Sequence, residues 1–318
     1  MRMWDAAQPV LAVVGPTATG KSVLALAVAE RLGGEIVNAD ALQVYRGFDI
    51  GTAKPSAEER RRVPHHLLDI LEPGERYSAG EFARRATEAI AGIRERGRLP
   101  IVVGGSGLYL RALFQGISPV PPGDPETRER LRQRLSEEGL TALFAELWRV
   151  DPETAARLGT GDTQRVLRAL EVAIVSGRPL SRWILEQPFG TQRIAALTVG
   201  LTLPRAILYD QIAGRVVRMM AEGWREEVAG LLQRGLSPDL PAFQAIGYRQ
   251  IVHYLEGDGS LELVVGETIK ATRRFAKRQE TWFRKEPDVT WFCSQDLECR
   301  VLQVLEHIKH RGLGRAYG

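Results

Sequence analysis

Short apolar runs alternate with amphipathic segments along the first third of the chain. Val10–Val14 and Leu99–Val103 are almost continuously apolar and are followed by glycine, which is typical of buried parallel strands. Ser22–Leu32 repeats leucine and valine at helical spacing and ends at paired glycines, which predicts a helix. Glu35–Asp40 is a further strand candidate. Strands that alternate with helices predict βαβ units and a parallel sheet.

The pattern becomes helical near Gly116. The segment 124–182 carries Asp-Pro and Gly signals for helix starts and stops, without a strand pattern. A strand pattern returns at Thr191–Leu203. The remainder is mostly helical, with Thr268–Arg284 as the longest helix candidate. The sequence therefore predicts a helical insertion between two parts of a sheet-containing core.

The composition is that of a globular protein, with 318 residues, 44% hydrophobic and 26% charged. Every apolar run is much shorter than the ~20 residues that cross a bilayer, and Met1–Asp5 lacks a signal-peptide pattern. Two cysteines, Cys293 and Cys299, exclude a disulfide framework and do not match the spacing of a zinc site. We therefore expect a soluble, cytoplasmic protein with no membrane partner.

Positive charge is concentrated in one segment. The net charge is only +4, but Lys270–Lys285 holds seven basic residues and one acidic residue. A local basic stretch on a nearly balanced protein is typical of a surface that binds an anionic partner. A solvated helix face would show the same pattern, so charge alone leaves the two alternatives open.

A glycine-rich motif follows the first predicted strand. The sequence matches G-x-x-x-x-G-K-[ST] at every fixed position, with a strand before it and a helix after it. Backbone N–H groups of such a loop and the positive end of the helix surround a phosphate. Lys21 would neutralise the outer phosphate, and the Ser22 hydroxyl can hold Mg²⁺. The predicted phosphate-binding residues are Gly15, Pro16, Thr17, Ala18, Thr19, Gly20, Lys21 and Ser22.

This motif predicts an α/β fold with a P-loop NTPase-like parallel-sheet core and a helical insertion domain. We place the core at 1–115 and 191–318 and the insertion at 116–190. An ordinary NTPase also needs an acidic residue at the end of a second apolar strand, to position Mg²⁺. The strand before Gly104 has no such residue, whereas Asp40 ends the strand after the first helix. Asp40 is therefore a candidate metal ligand or general base, or alternatively a helix cap.

Several further segments, in this order along the chain, match the sequence pattern of a known family. They are Asp40–Pro55 (DALQVYRGFDIGTAKP), Pro64–Asp69 (PHHLLD), Val103–Tyr109 (VGGSGLY), Gln164–Arg165, Ala169–Glu171 (ALE), Gly247–Gln250 (GYRQ) and Lys277–Trp282 (KRQETW). In these segments the chain resembles the tRNA dimethylallyltransferase (tRNA isopentenylpyrophosphate transferase) family over nearly its whole length. It departs from the family pattern at Ala41, where serine is usual, and at Ser106, where threonine is usual. Ser106 keeps the hydroxyl, whereas Ala41 loses it.

The resemblance implies alkyl transfer to tRNA. The exocyclic N6 amine of the adenosine 3′-adjacent to the anticodon would attack C1 of dimethylallyl diphosphate, and diphosphate would leave. Mg²⁺ and the phosphate loop would neutralise this leaving group. By the resemblance, the catalytic residues are Asp40 as general base, together with Lys21, Thr17, Ser106 and Arg128. We expect the anticodon arm of tRNA and dimethylallyl diphosphate as the partners of a monomeric enzyme.

The same resemblance assigns a tRNA-binding set that is spread over the core and the insertion. Its members are Asp40, Ala41, Leu42, Gln43, Ser106, Arg128, Gln164, Arg165, Val166, Leu167, Arg168, Gly247, Tyr248, Arg249, Gln250, Lys277, Arg278, Gln279, Thr281, Trp282 and Arg284. From residue chemistry alone, Tyr248 is equally suited to a core. Arg165 and Arg168 share one helix face, which is also what a solvated face would show.

Three other functions share parts of this pattern. A small-molecule or nucleotide kinase has the same phosphate loop and would bind ATP there, but the missing second-strand carboxylate and the basic C-terminal helix count against it. Transfer onto a free adenine nucleotide is a related reaction, and the insertion and the basic segment favour tRNA instead. An RNA-binding protein that only senses nucleotide would not need Asp40 beside an intact phosphate loop.

Overall fold

A six-stranded parallel sheet lies at the centre of the fold, which we describe from a computed structural model. The structure describes residues 9–186, 194–293 and 295–311. The predictions for Met1–Asp5 and for the first three residues of the 191–203 segment lie outside these ranges. Within them, no helix has the length and apolar character that a membrane span requires.

Strands and helices alternate in the first third of the chain, and helices dominate thereafter. The strands are β1 (Val10–Val14), β2 (Gly34–Asn38), β3 (His65–His66), β4 (Leu99–Gly104), β5 (Ala196–Leu201) and β6 (Val289–Phe292). The helices are α1 (Lys21–Leu32), α2 (Ala57–Arg62), α3 (Ala79–Glu95), α4 (Gly107–Gln115), α5 (Pro125–Val150), α6 (Pro152–Arg157), α7 (Thr163–Ser176), α8 (Leu180–Glu186), α9 (Arg205–Ala221), α10 (Trp224–Gln233), α11 (Tyr248–Leu255), α12 (Leu261–Phe283) and α13 (Leu297–His310).

The strand β1 occupies the middle of the sheet, whose order is β3-β2-β4-β1-β5-β6 with every neighbouring pair parallel. Every residue of β1 and β4 is buried, which explains the apolar runs of these two strands. Val14 lies beside Gly104 on one side and beside Gly200 on the other. The prediction of a parallel sheet is confirmed.

Helices α1 and α13 cover one face of the sheet in a shared apolar core. Leu24 of α1 and Val301 of α13 belong to the same buried cluster as Leu11 and Val13 of β1. Helix α1 ends at Gly33, whose left-handed backbone (φ 61°) is one that glycine adopts readily. This packing fixes the first turn of α1 next to the carboxyl end of β1.

Both sheet edges and the start of α12 differ from the sequence-based predictions. Strands β3 and β6 were not predicted, because β3 has only two residues and β6 is half-buried throughout. Helix α12 begins at Leu261 rather than Thr268, and the Ser260 side chain caps it. Strand β2 stops at Asn38, so that Asp40 lies in the loop after the strand and not within it.

The chain divides into two compact units. One contains the described residues up to Phe114 and from Ile194 onward, and the other is Gln115–Arg193. The second unit contains α5 to α8, and its apolar core is formed within the unit itself. Helix α5 is interrupted at Gly139 (φ 79°), and α7 ends at Gly177 in a left-handed conformation, as the sequence predicts.

Candidate active site

The loops after three adjacent strands meet at one edge of the sheet. Gly15 follows β1, Gly105 follows β4, and Asp40 comes two residues after β2. Because these strands are parallel neighbours, their carboxyl ends lie at the same edge. The backbone N–H of Ala39 donates to the Val103 carbonyl at 2.7 Å, which ties the Asp40 loop to the end of β4.

Two glycines allow this close approach of backbones. A Cβ atom on Gly15, whose φ is 133°, would lie 2.4 Å from the Leu201 carbonyl oxygen. A Cβ atom on Gly104 would lie 2.3 Å from the Ala39 carbonyl oxygen. Both contacts are too short for any side chain, so glycine is required at each position.

The phosphate loop is shaped by local bonds that lead directly into α1. The Thr19 hydroxyl donates to the Pro16 carbonyl at 2.9 Å, and Gly20 caps the helix with φ 85°. Arg300 from α13 donates to the Thr19 carbonyl at 2.7 Å. The first N–H groups of α1 have no partner within the helix, as at any helix start, so this loop is built to surround an anion.

Lys21 lies within this loop with a perturbed pKa. Its ammonium donates to the Pro16 carbonyl at 2.6 Å. Burial and the nearby Arg215 lower the pKa of Lys21 to about 7, and the Asp40 carboxylate opposes the shift. A bound anion would favour the charged form, so Lys21 is poised to gain a proton when phosphate binds.

Arg215 of α9 brings a second cation to the phosphate loop. It donates to the Thr17 hydroxyl at 3.3 Å. Burial lowers its pKa, and the Asp40 carboxylate again opposes that shift. Sequence reasoning missed Arg215, because a single arginine on an amphipathic helix carries no motif. Lys21, Arg215 and Asp40 thus form one electrostatic group around Thr17.

The Asp40 carboxylate closes a turn and faces these cations. Its Oδ1 atom accepts from the backbone N–H of Leu42 at 2.8 Å and of Gln43 at 3.4 Å. No helix follows Asp40 directly, so the alternative of a helix cap is wrong, although a turn cap is present. Ala41 and Leu42 are half-buried beside it.

The Gln43 side chain is structural. It is buried, and its amide donates to the carbonyls of Thr52 at 3.0 Å and Ala53 at 3.2 Å. These bonds hold the loop after Asp40 in place. The Gln43 amide group is thus used inside the loop, and the assignment of Gln43 to the tRNA-binding set stays a prediction.

Gln279 of α12 reaches the same edge of the sheet. Its Oε1 accepts from the Thr17 backbone N–H at 2.8 Å, and its Nε2 donates to the Gly105 carbonyl at 2.9 Å. The side chain is buried, and the assignment of Gln279 to the tRNA-binding set stays a prediction. Ser106, which follows Gly105, is half-buried at this edge.

A cavity of about 1200 Å³ opens beside the phosphate loop. Its charged lining residues are Lys21, Lys54, Arg215, Arg218 and Arg300, with Asp49, Glu59, Asp210 and Glu222. The Ser22 hydroxyl is exposed in it. Across the part of the chain that the structure describes, no group of three or more His, Cys, Asp or Glu side chains could hold a metal. An ion shared between Ser22 and phosphate oxygens, which is a usual mode for Mg²⁺, would fit the residues present.

Tyr248 is a core residue. It is fully buried, and its hydroxyl donates to Glu227 at 2.6 Å. The buried ring cannot stack on a base, and the assignment of Tyr248 to the tRNA-binding set stays a prediction. Gly247 and Gln250 cap α11, because the Gly247 N–H donates to the Gln250 side chain at 2.8 Å. Only Arg249 of this motif is exposed.

The exposed face of α12 carries most of the remaining predicted tRNA contacts in the core. Lys277, Arg278, Thr281 and Arg284 are all exposed. Trp282 is half-buried under the Arg111 guanidinium, which lies 4.4 Å from its ring centroid. The basic side chains are therefore free of the core, whereas the indole ring packs against the protein.

The helical unit presents a smaller set of the predicted contacts. Arg128 and Arg168 both donate to the buried Glu171 carboxylate, at 2.9 and 2.8 Å. Gln164 and Arg165 are exposed. The side chains of Val166 and Leu167 belong to the apolar core of this unit, and the assignment of these residues to the tRNA-binding set stays a prediction.

Comparison with known proteins shows similarity along the whole chain. A family model described as IPP transferase matches residues 43–286. The tRNA dimethylallyltransferase of Halorhodospira halophila is 51% identical over 298 residues, covering 92% of this chain and 96% of that protein. The tRNA dimethylallyltransferase of Syntrophobacter fumaroxidans is 48% identical over 297 residues, covering 93% and 87% of the two chains.

Solved structures show the same similarity in three dimensions. The tRNA isopentenylpyrophosphate transferase of Bacillus halodurans has a TM-score of 0.69 and 39% identity, covering 95% of this chain and 96% of that one. A eukaryotic dimethylallyltransferase acting on tRNA has a TM-score of 0.81 and 27% identity, covering 96% of this chain and 79% of that one.

Proposed function

The chain belongs to the IPP transferase family and is a prenyltransferase that acts on tRNA, and from this premise we propose the details of its reaction. It transfers a dimethylallyl group from dimethylallyl diphosphate to the exocyclic N6 amine of the adenosine 3′-adjacent to the anticodon. The amine nitrogen forms a bond to C1, and the C1–oxygen bond breaks with its electron pair leaving on diphosphate. The products are prenylated tRNA and free diphosphate.

The observation that carries this proposal is the convergence of Lys21, Arg215 and Asp40 on the phosphate loop. The two cations and the N–H groups of the loop stabilise the charge that develops on the leaving diphosphate. Asp40 takes the proton that the attacking amine loses, since it is the carboxylate at the adjacent strand end. The hydroxyls of Thr17 and Ser106 orient the phosphates or the base.

We propose that Mg²⁺ binds together with the diphosphate, with Ser22 as its protein ligand. When bound, it supplies positive charge to the phosphate oxygens of the leaving group. The protein's own residues orient the diphosphate through the loop N–H groups and remove the amine proton through Asp40. We propose Mg²⁺ as the only cofactor.

Recognition of tRNA rests on exposed basic residues. Lys277, Arg278 and Arg284 on α12, with Arg165 in the helical unit, are suited to phosphate contacts along the anticodon arm. Arg128 would join them only by leaving its ion pair with Glu171. The target amine is inaccessible in a stacked helix, so the adenosine must be turned out of its stack. We propose that the enzyme acts as a cytoplasmic monomer.

The test is mass spectrometry of tRNA nucleosides after incubation with dimethylallyl diphosphate and Mg²⁺, without ATP. We expect prenylated adenosine and an equal amount of free diphosphate, with ATP acting at most as a weak competitor. The Lys21→Met variant should lose this activity, while Gln303→Met on the exposed face of α13 should keep it. Transfer of label from γ-labelled ATP to an acceptor would contradict the proposal and favour a kinase.

A further inference from the structure

One side chain joins the two loops that flank the reaction centre. Gln279 accepts from the Thr17 N–H at 2.8 Å and donates to the Gly105 carbonyl at 2.9 Å. These partners lie 262 and 174 residues away along the chain. The first lies in the phosphate loop, and the second precedes Ser106. Both bonds are direct and well within hydrogen-bond distance.

The Gln279 amide is buried and tightly packed against Gly105. The residue is only 7% exposed. A Cβ atom on Gly105 would lie 2.2 Å from the Gln279 Nε2 atom. Glycine at position 105 therefore leaves the space that the amide occupies. This complementarity means that the two loops cannot separate or slide without breaking a buried hydrogen bond.

The Gln279 amide satisfies both partners at once. Thr17 offers a donor and Gly105 offers an acceptor, so the bridging group must accept at one end and donate at the other. A glutamate at this position would accept from Thr17 but would turn a carboxylate oxygen toward the Gly105 carbonyl. A methionine has similar length and volume but makes neither bond, and it would leave both backbone groups unsatisfied.

Thr17 is held from its other side as well. Its hydroxyl accepts from Arg215 at 3.3 Å, while its N–H donates to Gln279. Arg215 is part of the charged group around the phosphate loop. Thr17 thus links the Gln279 amide on one side to this cation on the other.

We propose that Gln279 is a positioning residue, which holds the phosphate loop and the Ser106 loop in a fixed relation and so preorganises the diphosphate site. It does not touch the reacting atoms. This inference rests on the proposed function only in naming diphosphate as the occupant of the loop. Preorganisation lowers the cost of binding because the loop needs no rearrangement when the anion arrives.

The test is calorimetric titration of inorganic pyrophosphate with Mg²⁺ into the full chain. We expect Gln279→Met to raise the Kd for pyrophosphate by about tenfold, because the cradle is no longer held in one geometry. Gln279→Glu should raise it further, because it adds a negative charge beside the anion. Gln303→Met, the same substitution at an exposed glutamine, should bind like the parent. If Gln279→Met does not fold, Gly105→Ala serves as the test, because its Cβ would lie 2.2 Å from the Gln279 Nε2 atom and displace the amide without adding charge. A parental Kd in a folded Gly105→Ala protein would likewise overturn the inference.

Steady-state kinetics and thermal unfolding separate positioning from general stability. For Gln279→Met we expect kcat to fall about 100-fold, as for a misplaced catalytic group, with the KM for tRNA changed less than about threefold. The melting temperature should fall by only a few degrees, so that the variant is folded at the assay temperature. A folded Gln279→Met protein with the parental Kd for pyrophosphate overturns the inference, whatever its activity. If the parent protein makes no prenylated tRNA, the proposed function fails, and the pyrophosphate titration still decides the role of Gln279.

Discussion

At the carboxyl ends of β1, β2 and β4, the local charge is set by Lys21, Arg215 and Asp40. Burial lowers the pKa of both cations, and the Asp40 carboxylate opposes the shift in each case. A diphosphate adds negative charge at the same place and therefore favours the protonated form of Lys21. The protonation state of Lys21 thus depends on whether diphosphate is bound.

Because Lys21 binds the anion in its protonated form, we expect pyrophosphate binding to weaken as the pH rises. The pKa of Lys21 in the free protein is about 7, so above this pH the amine is mostly neutral and must take up a proton when the anion binds. The affinity should fall from pH 7 to pH 9 by up to about tenfold per unit. The measurement is the ratio of Kd values for Lys21→Met and parent protein, in which the ionisation of the ligand itself cancels. This ratio should shrink with rising pH, and a constant ratio would contradict the prediction.

The role of Asp40 as general base can be tested by substitution. Asp40→Asn keeps an oxygen that can accept from the Leu42 N–H but cannot take a proton from the amine. We expect the rate of alkyl transfer to fall by ~10²–10⁴-fold, with tRNA affinity nearly unchanged. Asp258→Asn, at an exposed aspartate outside the site, is the matched control. Parental turnover in Asp40→Asn would remove this carboxylate from the mechanism.

Single residues of the site were predictable only where a local motif marks them. The phosphate loop carries its function in consecutive residues, and Asp40 is marked by its place after a strand. Arg215 and Arg300 reach the loop from distant helices, and nothing in their own neighbourhood distinguishes them from solvated arginines. Tyr248 is the converse case, since its burial depends on packing that no short segment reveals.

At the scale of elements, central strands were easier to predict than edge strands. β1 and β4 are buried on both faces and therefore read as continuous apolar runs. β3 is a pair of half-buried histidines, and β6 is half-buried along its whole length, so neither has that signature. The order of the strands was not predictable from local pattern, because it is set by long-range pairing.

Helix α12 combines an anchored face with an exposed basic face. Arg273 is half-buried against Tyr209, 4.9 Å from its ring centroid, whereas Lys277 and Arg278 are exposed. We expect the double variant Lys277→Gln/Arg278→Gln to weaken binding to all tRNAs alike. It should also flatten the slope of log K against log salt by about 1.4–1.8, because each phosphate contact contributes about 0.7–0.9.

The control for α12 is the double variant Lys309→Gln/Arg311→Gln, which removes the same charge from exposed positions at the end of α13. Its salt slope should match that of the parent. A parental slope in Lys277→Gln/Arg278→Gln would show that these two side chains face solvent and touch no RNA.

At the scale of the whole molecule, the two units have separate apolar cores. The cluster beneath the sheet and the cluster among α5 to α8 share no residue. Replacing 115–193 by a short Gly-Ser linker should therefore leave a core that folds and binds pyrophosphate. We expect its tRNA affinity to fall by at least about tenfold, because the exposed contacts of the helical unit are lost. Gel-shift and calorimetric titrations measure the two affinities, and unchanged tRNA binding in the folded variant would assign this unit another role.

The position of β1 between β4 and β5 has a consequence for synthesis on the ribosome. Val14 pairs with Gly104 on one side but with Gly200 on the other, roughly 190 residues downstream. At ~5–20 residues per second, roughly 10–40 s pass before β1 can acquire this second neighbour. During that interval an apolar strand edge is open to pairing with other chains, which chaperones would need to cover. The helical unit is made in the same interval, and its own core lets it fold first, so a nascent chain halted after this unit has left the ribosome but before β5 has left it should hold a folded helical unit and an unfinished sheet.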